Sequence, residues 1–369
     1  MTVTLADVAA RARVSPATVS RVLNGNYPVA ASTRDRVLRA VDELDYVLNG
    51  PASSLAASTS DLVGILVNDI ADPFFGVMAG AVQLAVGEDT SGRGGGEKLA
   101  VVCNTNGSPE RELTYLTLLQ RQRAAAVVIT GGAPEDAAHT AAMTAKLARL
   151  AEAGTTVVLC GRPPMPGASV AATLSFDDRT GGRLLAEHLV GLGHRRIGYV
   201  AGPAGRTTTR QRWEGHREAL AAAGLLTPPA GESGTADPSA APAAEQGQAA
   251  VQGSYDRSSG YAATVQLLER DPDLTAIAAA NDTVALGVCA ALRDRGLRVP
   301  EDLSVTGFDD LPFSVDAVPA LTTVRVPLQD AGLRAGRLAM GLLEPPPGGS
   351  ATVPVELVVR ASTAAPRKP

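Results

Sequence analysis

From residue 61 onward the chain alternates short, largely apolar runs with amphipathic stretches, and this rhythm restricts what it can fold into. Residues 62–67, 99–102, 126–129, 156–159, 171–174, 197–200, 276–280 and 303–306 read as strands, apolar enough to be buried on both faces. Between most of them lie helical patterns, for instance at 75–86, 110–121, 179–192 and 213–223. Strands linked through helices run parallel, with helices covering both faces of the sheet. About 300 residues of such a pattern exceed one hydrophobic core, so two lobes are expected.

The 369 residues are 45% hydrophobic and 19% charged, which supports a folded core rather than disorder. Aromatic residues make up only 3%, so Ala, Val and Leu must fill that core. A formal charge of −5 argues against a wholly basic coat for nucleic acid but leaves room for a small basic module. Cys103, Cys160 and Cys289 are odd in number and far apart, which fits neither a disulfide framework nor a zinc site and suits a reducing compartment. The start MTVTLADVAA lacks a basic flank followed by an apolar stretch, and apolar runs such as 124–129 fall far short of the ~18 residues that span a bilayer. A cytoplasmic chain with no membrane segment is expected.

Two stretches break the rhythm. Residues 87–97 (GEDTSGRGGGE) and 227–250 (TPPAGESGTADPSAAPAAEQGQAA) are rich in Gly, Pro, Ala and Ser. Both read as mobile surface inserts. GRGGGEK has Glu97 where a phosphate-binding loop needs lysine followed by Ser or Thr. His139, His188, His194 and His216 show no metal-ligand spacing, no Ser sits in GxSxG, and no Cys neighbours a base. No metal or cofactor site and no catalytic set emerges.

The first 50 residues differ. Within residues 1–34, Arg11, Arg13, Arg21 and Arg34 face Asp7 alone, an asymmetry that marks a contact with a polyanion. Thr4 precedes Leu5, Val8, Ala9 and Ala12 at helical spacing and is placed to cap that helix. Val14 is expected to turn the chain. Ser15 opens a second helix with Pro16 at its first position, and Val19, Val22 and Leu23 form its apolar stripe. Asn24-Gly25-Asn26 is expected to end it. Thr33 is expected to cap a third helix carrying Val37, Ala40, Val41 and Leu44. Three short helices, the first two tightly joined, read as a helix-turn-helix. Small residues Ser15, Pro16, Ala17 and Thr18 let the second helix enter a major groove, and Arg21, one turn on, is a donor for guanine. Residues 49–60 (NGPASSLAASTS) read as a linker that turns helical only when held.

These residues closely resemble the lactose-repressor (LacI/GalR) family of bacterial regulators. The matching stretches are VSPATVSRVLNG, LDYVLNGPASSLA, VNDIADPFF, GHRRIGYVAGP, RWEG, AANDTVALGV, GFDDLPFS and LTTVRVP, in the family's order over most of the chain. The resemblance implies a helix-turn-helix domain at 1–47, a hinge helix at 48–60 and an effector-binding and dimerisation domain at 61–369. That domain has the two-lobed fold of type I periplasmic binding proteins, with lobe 1 at about 61–161 and 327–354 and lobe 2 at about 162–326 and 355–369.

Carried over by position, Thr4, Leu5, Ser15, Thr18, Ser20, Asn24 and Thr33 would meet the DNA backbone and its surroundings, while Pro16, Ala17 and Arg21 would face bases. Ala52, Ser53, Ser54 and Leu55 would form the hinge helix, with Leu55 wedged into the minor groove. Leu48 stands where the family often has proline, and Ser53 where it often has arginine.

The implied effector site comprises Asn68, Asp72, Phe74, Arg206, Thr208, Arg212, Asn281 and Asp309, a set suited to a polyol such as a sugar or sugar phosphate. On the residues alone, Asn281-Asp282 equally reads as a helix cap, Asp309-Asp310 as a turn, Arg212 as a surface arginine and Phe74 as core. Gly161 stands where many members carry aspartate and Val326 where many carry glutamine, which implies fewer polar contacts to the effector. The partners implied are operator DNA, a small-molecule effector and a second copy of the chain. A dimer is expected because no heptad tail follows the strand at 355–360. The expected function is that of a DNA-binding repressor under effector control. The alternatives are a solute-binding protein without a regulatory role and a sugar-modifying enzyme, the latter lacking a base and nucleophile.

Overall fold

The computed structural model describes residues 3–24, 29–46, 60–88, 98–226 and 250–367. Contacts divide the chain into two units, Met1–Ser60 and Asp61–Pro369.

In the first unit α1 (Leu5–Ala12), α2 (Pro16–Asn24) and α3 (Ala31–Glu43) follow the periodicity of the sequence. Thr4 closes a capping box: its hydroxyl accepts from the Asp7 amide while the Asp7 side chain accepts from the Thr4 amide. The turn to α2 is made by Arg13 (φ 54°), one residue before the position expected, and Ser15 Oγ then accepts from the Thr18 amide at 3.2 Å. Thr33 does not cap α3. It lies in the first turn, the cap position belongs to Ala30, and the main-chain carbonyl of Ala30 accepts from the Thr33 amide. Val8, Ala9, Ala12, Val19, Val37 and Ala40 form a small core, flanked by Leu5, Val22, Leu23 and Leu44. Such a core suffices only because three short helices share it.

The second unit holds two parallel sheets. In the first, the strand order is β2 (Leu99–Asn104), β1 (Leu62–Val67), β3 (Ala126–Thr130), β4 (Thr156–Cys160), β5 (Ala172–Phe176), β11 (Ser350–Val353). In the second, the order is β7 (Ala250–Gln252), β6 (Ile197–Ala201), β8 (Ala276–Ala279), β9 (Ser304–Thr306). An antiparallel pair of β10 (Thr323–Arg325) and β12 (Glu356–Val358) lies where the chain passes between lobes.

Helices cover both faces of each sheet. α4 (Pro73–Val86) and α11 (Leu328–Ala339) bury Met78, Val82, Ala335 and Leu338 against one face of the first sheet. α5 (Pro109–Arg121) and α6 (Ala137–Glu152) bury Leu116, Leu119, Met143 and Leu147 against the other. On the second sheet α7 (Asp178–Gly191) and α8 (Thr207–Ala222) cover one face, and α9 (Arg257–Arg270) and α10 (Asp282–Asp294) the other.

Several sequence expectations change. Residues 172–176, assigned to the second lobe, pair with β4 and β11 and so belong to the first sheet; the lobes therefore part after residue 176 rather than 161. Ala250 is not part of an insert: it is 3% exposed and starts β7 beside Tyr199. Gly87 ends α4 as its cap and Glu88 pairs with Arg337, while insert residues 89–97 and 227–249 lie outside the described residues. The helix expected from residue 213 starts at Thr207, which places Arg212 inside a helix rather than at its opening.

Candidate functional site

Strand carboxyl ends of both sheets face a cleft of about 600 Å3, the place where open parallel sheets bind ligands. The structure brings together all eight candidate effector residues along its wall: Asn68, Asp72 and Phe74 from the first lobe, and Arg206, Thr208, Arg212, Asn281 and Asp309 from the second.

Arg212 forms the floor. Its side chain is 4% exposed, so it is no surface arginine. Nε donates to Asp178 Oδ1 at 2.7 Å, Nη1 to the Ala280 carbonyl at 2.7 Å and Nη2 to Asp309 Oδ1 at 2.9 Å. The Phe308 ring stacks on the guanidinium at 3.7 Å from its centroid, a cation–π contact. The α8 helix supplies this position because Gly215, three residues on, lies against the Arg179 carbonyl of α7, where a Cβ would stand 1.8 Å from that oxygen. Burial pushes the Asp178 and Asp309 carboxyls up to about 6 against the pull of Arg212. The two carboxylates hold the Arg212 proton more tightly than usual, outweighing the cost of burial.

The two side walls differ. Phe74 is 8% exposed and belongs both to the core and to the cleft wall, meeting the Phe75 ring edge-on at 4.9 Å. Asp72 accepts from the Phe74 amide at 3.0 Å and caps α4; burial raises its carboxyl despite that bond. Asn281 caps α10 through Val284 N at 2.8 Å and still lines the cleft, so the cap and the wall are one residue. Asp309 and Asp310 take the left-handed backbone (φ 100° and 54°) of the turn leaving β9.

The start of α8 clasps the first lobe. Arg206 donates to the carbonyls of Gly132 (3.2 Å) and Gly107 (2.8 Å), Thr207 N to Ala133 O at 3.0 Å, and Arg210 Nε to Glu135 Oε1 at 2.6 Å.

Sequence reasoning missed three contributors. Tyr255 lines the cleft, and its hydroxyl meets those of Thr208 (3.2 Å) and Thr209 (2.9 Å); its position just past the second insert gave no local signal. Arg162 is 2% exposed and ties Glu112 Oε1 (2.9 Å) to the Gly131 carbonyl (3.0 Å), with His139 Nε2 on the other Glu112 oxygen at 3.0 Å. Burial would raise the Glu112 carboxyl, but the Arg162 charge and the His139 hydrogen bond bring it down to about 2. Asp282 accepts from Leu311 N (2.8 Å), Ser314 Oγ (2.7 Å) and Thr323 Oγ1 (2.6 Å), tying α10 to the strand that crosses between lobes.

Two departures from the family gain a physical reason. Gly161 has φ 86°, and a Cβ there would stand 2.9 Å from the Phe176 ring, so no side chain reaches the cleft from it. Val326 is 3% exposed in the core and lines no part of the cleft.

In the first unit Ser15, just before α2, and Pro16, Ala17 and Arg21 on it are exposed, while Val19 is buried. Thr18, Ser20 and Thr33 are half-buried, and Asn24 ends α2. Leu5 packs against the core and the Thr4 hydroxyl donates to Asp7 Oδ2 at 2.6 Å, so both are partly committed within the fold. All four of Arg11, Arg13, Arg21 and Arg34 are exposed, and Arg11 pairs with Glu43. Ala52, Ser53, Ser54 and Leu55 lie outside the described residues, as does Leu48. Among the described residues no cluster could hold a metal ion, and no helix is long and apolar enough to cross a membrane.

Comparison with known proteins agrees with this geometry. Residues 4–49 match the bacterial regulatory proteins of the lacI family, and residues 186–363 match a periplasmic binding protein-like domain. The transcriptional regulator GalS of Salmonella typhimurium is 35% identical over 92% of this chain and 89% of its own length. The lac repressor dimer bound to operator and the anti-inducer ONPF superposes with a TM-score of 0.75 at 28% identity, covering 99% of this chain and 100% of that one. The regulator CelR in complex with cellobiose gives 0.64 at 31% identity over 98% and 99% of the two chains. With helix-turn-helix, two-lobed sensor and full-length relatives in agreement, the chain belongs to the lacI family of bacterial regulatory proteins.

Proposed function

We propose that this chain is a transcriptional repressor that binds operator DNA as a homodimer and is controlled by a carbohydrate in its interlobe cleft. The observation that carries this reading is the presence, in one chain, of the exposed Pro16–Ala17–Arg21 face of a lacI-type helix and a cleft floored by the buried Arg212. Arg21 would read guanine, while Pro16 and Ala17 give apolar contact to thymine methyls. Thr4, Leu5, Ser15, Thr18, Ser20, Asn24 and Thr33 would position the helix on the backbone. Residues 48–60, with Ala52, Ser54 and Leu55, would fold as a hinge when paired in the minor groove.

Asn68, Asp72, Phe74, Arg206, Thr208, Arg212, Asn281 and Asp309 would hold the effector. Phe74 covers a sugar face, Asn281 both donates and accepts, and the carboxylates accept from hydroxyls. A shift of one lobe against the other would change how the paired hinges meet, a coupling typically worth ~1–3 kcal/mol per effector. A regulator of this kind works where the chromosome is, in the cytoplasm and on the nucleoid when bound.

A duplex from the region upstream of the protein's own gene tests the reading by fluorescence anisotropy. The expected result is binding that falls steeply with salt and changes on adding a sugar. Equal binding to a scrambled duplex, unmoved by any sugar, would reject it.

A further inference from the structure

The two lobes are joined at the start of α8 by bonds that need no ligand. Main chain from each lobe forms a short antiparallel ladder around the bridge pair Pro134 and Arg206. Glu135 N donates to Gly205 O at 2.8 Å and Thr207 N to Ala133 O at 3.0 Å. Ala133 N in turn donates to Thr207 Oγ1 at 3.0 Å. Arg210 Nε reaches Glu135 Oε1 at 2.6 Å, while its Nη1 is anchored on Glu214 of its own helix at 2.7 Å. Every donor and acceptor in this set belongs to the chain, so it forms without a ligand bridging the lobes.

The first lobe is shaped for this contact. Gly132 lies outside the left-handed region, so its backbone does not call for glycine. A Cβ there would stand 2.7 Å from Thr208 Cγ2 and 3.1 Å from Thr207 Oγ1, both in the other lobe. The closeness of the lobes is what excludes a side chain. Behind this segment the buried Arg162 holds the Gly131 carbonyl at 3.0 Å and is itself fixed on Glu112 at 2.9 Å. The first lobe therefore meets α8 with a braced edge.

We propose that residues 132–135 and 205–210 form a latch that keeps the sensor closed before the effector arrives, so that the effector enters through openings of the latch. Two-lobed binding proteins commonly close around a ligand that bridges them; here the chain supplies the bridge. Arg206 and Thr208 line the cleft and stand on the latch itself, whereas Glu135 and Thr207 belong to the latch alone. Each latch bond is exchanged for water on opening, so the closure is reversible. Only the unlatched fraction admits ligand, and apparent affinity falls with that fraction. The gating rests on the effector reading above; the latch does not, and its first test uses no sugar.

Hydrogen exchange on the full-length protein reads the latch directly, because the amides of Ala133, Glu135 and Thr207 donate across the lobes. Without sugar, peptides covering residues 132–136 and 204–209 are expected to exchange at least about tenfold more slowly in the parent than in two latch variants. One is Glu135→Ala with Thr207→Val, which removes a side-chain acceptor from each lobe; the other is Gly132→Ala, which inserts a methyl between them. Peptides from β1 and β8 are expected to stay protected in both, showing that the fold survives. Exchange in the parent as fast as in the variants would overturn the latch. Cellobiose, galactose and ribose are then mixed with each protein in stopped flow. A sugar that binds is expected to associate at least about threefold faster with the variants. An unchanged association rate with faster dissociation would mean that the contact closes only after binding, and would overturn the gating. Failure of all three sugars to bind, with slow exchange intact, would support the latch and count against the carbohydrate reading.

Discussion

Arg212 and Asp309 meet at 2.9 Å on the floor of the cleft although 97 residues separate them in the chain. One comes from the second turn of α8 and the other from the turn that leads toward the interlobe crossing. Because both are buried, this contact and the Asp178 partner are worth little as stabilisation by themselves, and a great deal if one member is removed.

Replacing Arg212 with Ala leaves two carboxylates buried without a counter-charge. The variant is expected to lose about 3–5 kcal/mol of folding stability, read by urea unfolding. Arg212→Lys keeps the charge but gathers its donors on one nitrogen, which cannot reach Asp178, the Ala280 carbonyl and Asp309 together as the guanidinium fork does. It is expected to fall between the parent and Arg212→Ala.

Asp282 sets a pH dependence. Burial, reinforced by the Asp309 charge, pushes its carboxyl up to about 7 despite three donors. A carboxyl raised in the folded state binds more protons there than when unfolded, so its stabilisation is full below the unfolded value and is lost as pH rises through about 7. Asp282→Asn, which carries no charge at any pH, is expected to flatten the decline in melting temperature between about pH 4 and pH 7. A variant with the same slope as the parent would contradict the assignment.

Gly215→Ala forces a methyl onto the Arg179 carbonyl, 1.8 Å from where the Cβ would lie. The α7–α8 pair must then separate and Arg212 move with it. A loss of about 1–3 kcal/mol or more is expected in urea unfolding, together with weakened effector binding. Gly205→Ala, where no atom lies within 4 Å of the added carbon but φ is 66°, should show strain at the backbone alone.

How much of this was legible in the sequence depends on range. Periodicity located the helices of the first unit and most strands, because burial on one face or two leaves a local trace. The sheet to which residues 172–176 belong leaves none: an apolar run fits either sheet, and its pairing with β4 and β11 decides. The start of α8 was hidden for another reason. Thr207, Thr208 and Thr209 are poor helix formers, and the helix there is held by contacts to Ala133 and Glu135 instead. Likewise, the Arg162–Glu112–His139 cluster joins residues 50 and 27 positions apart, beyond any local pattern.

On the DNA side, Arg21→Ala is expected to weaken operator binding by ~1–3 kcal/mol and relax preference at one base pair. Arg34, if it meets only phosphate, should on replacement weaken all duplexes alike and lower the salt slope by about one. Competition between operator variants separates the two.

The most direct measurement is calorimetric titration of a sugar that binds the cleft into the protein alone and into the protein saturated with operator. Reciprocal linkage requires the sugar's affinity to change, when operator is present, by the same factor by which the sugar changes operator affinity, about 5–150-fold. Equal sugar affinity with and without operator would mean that cleft and recognition helix act independently, and the account would fail.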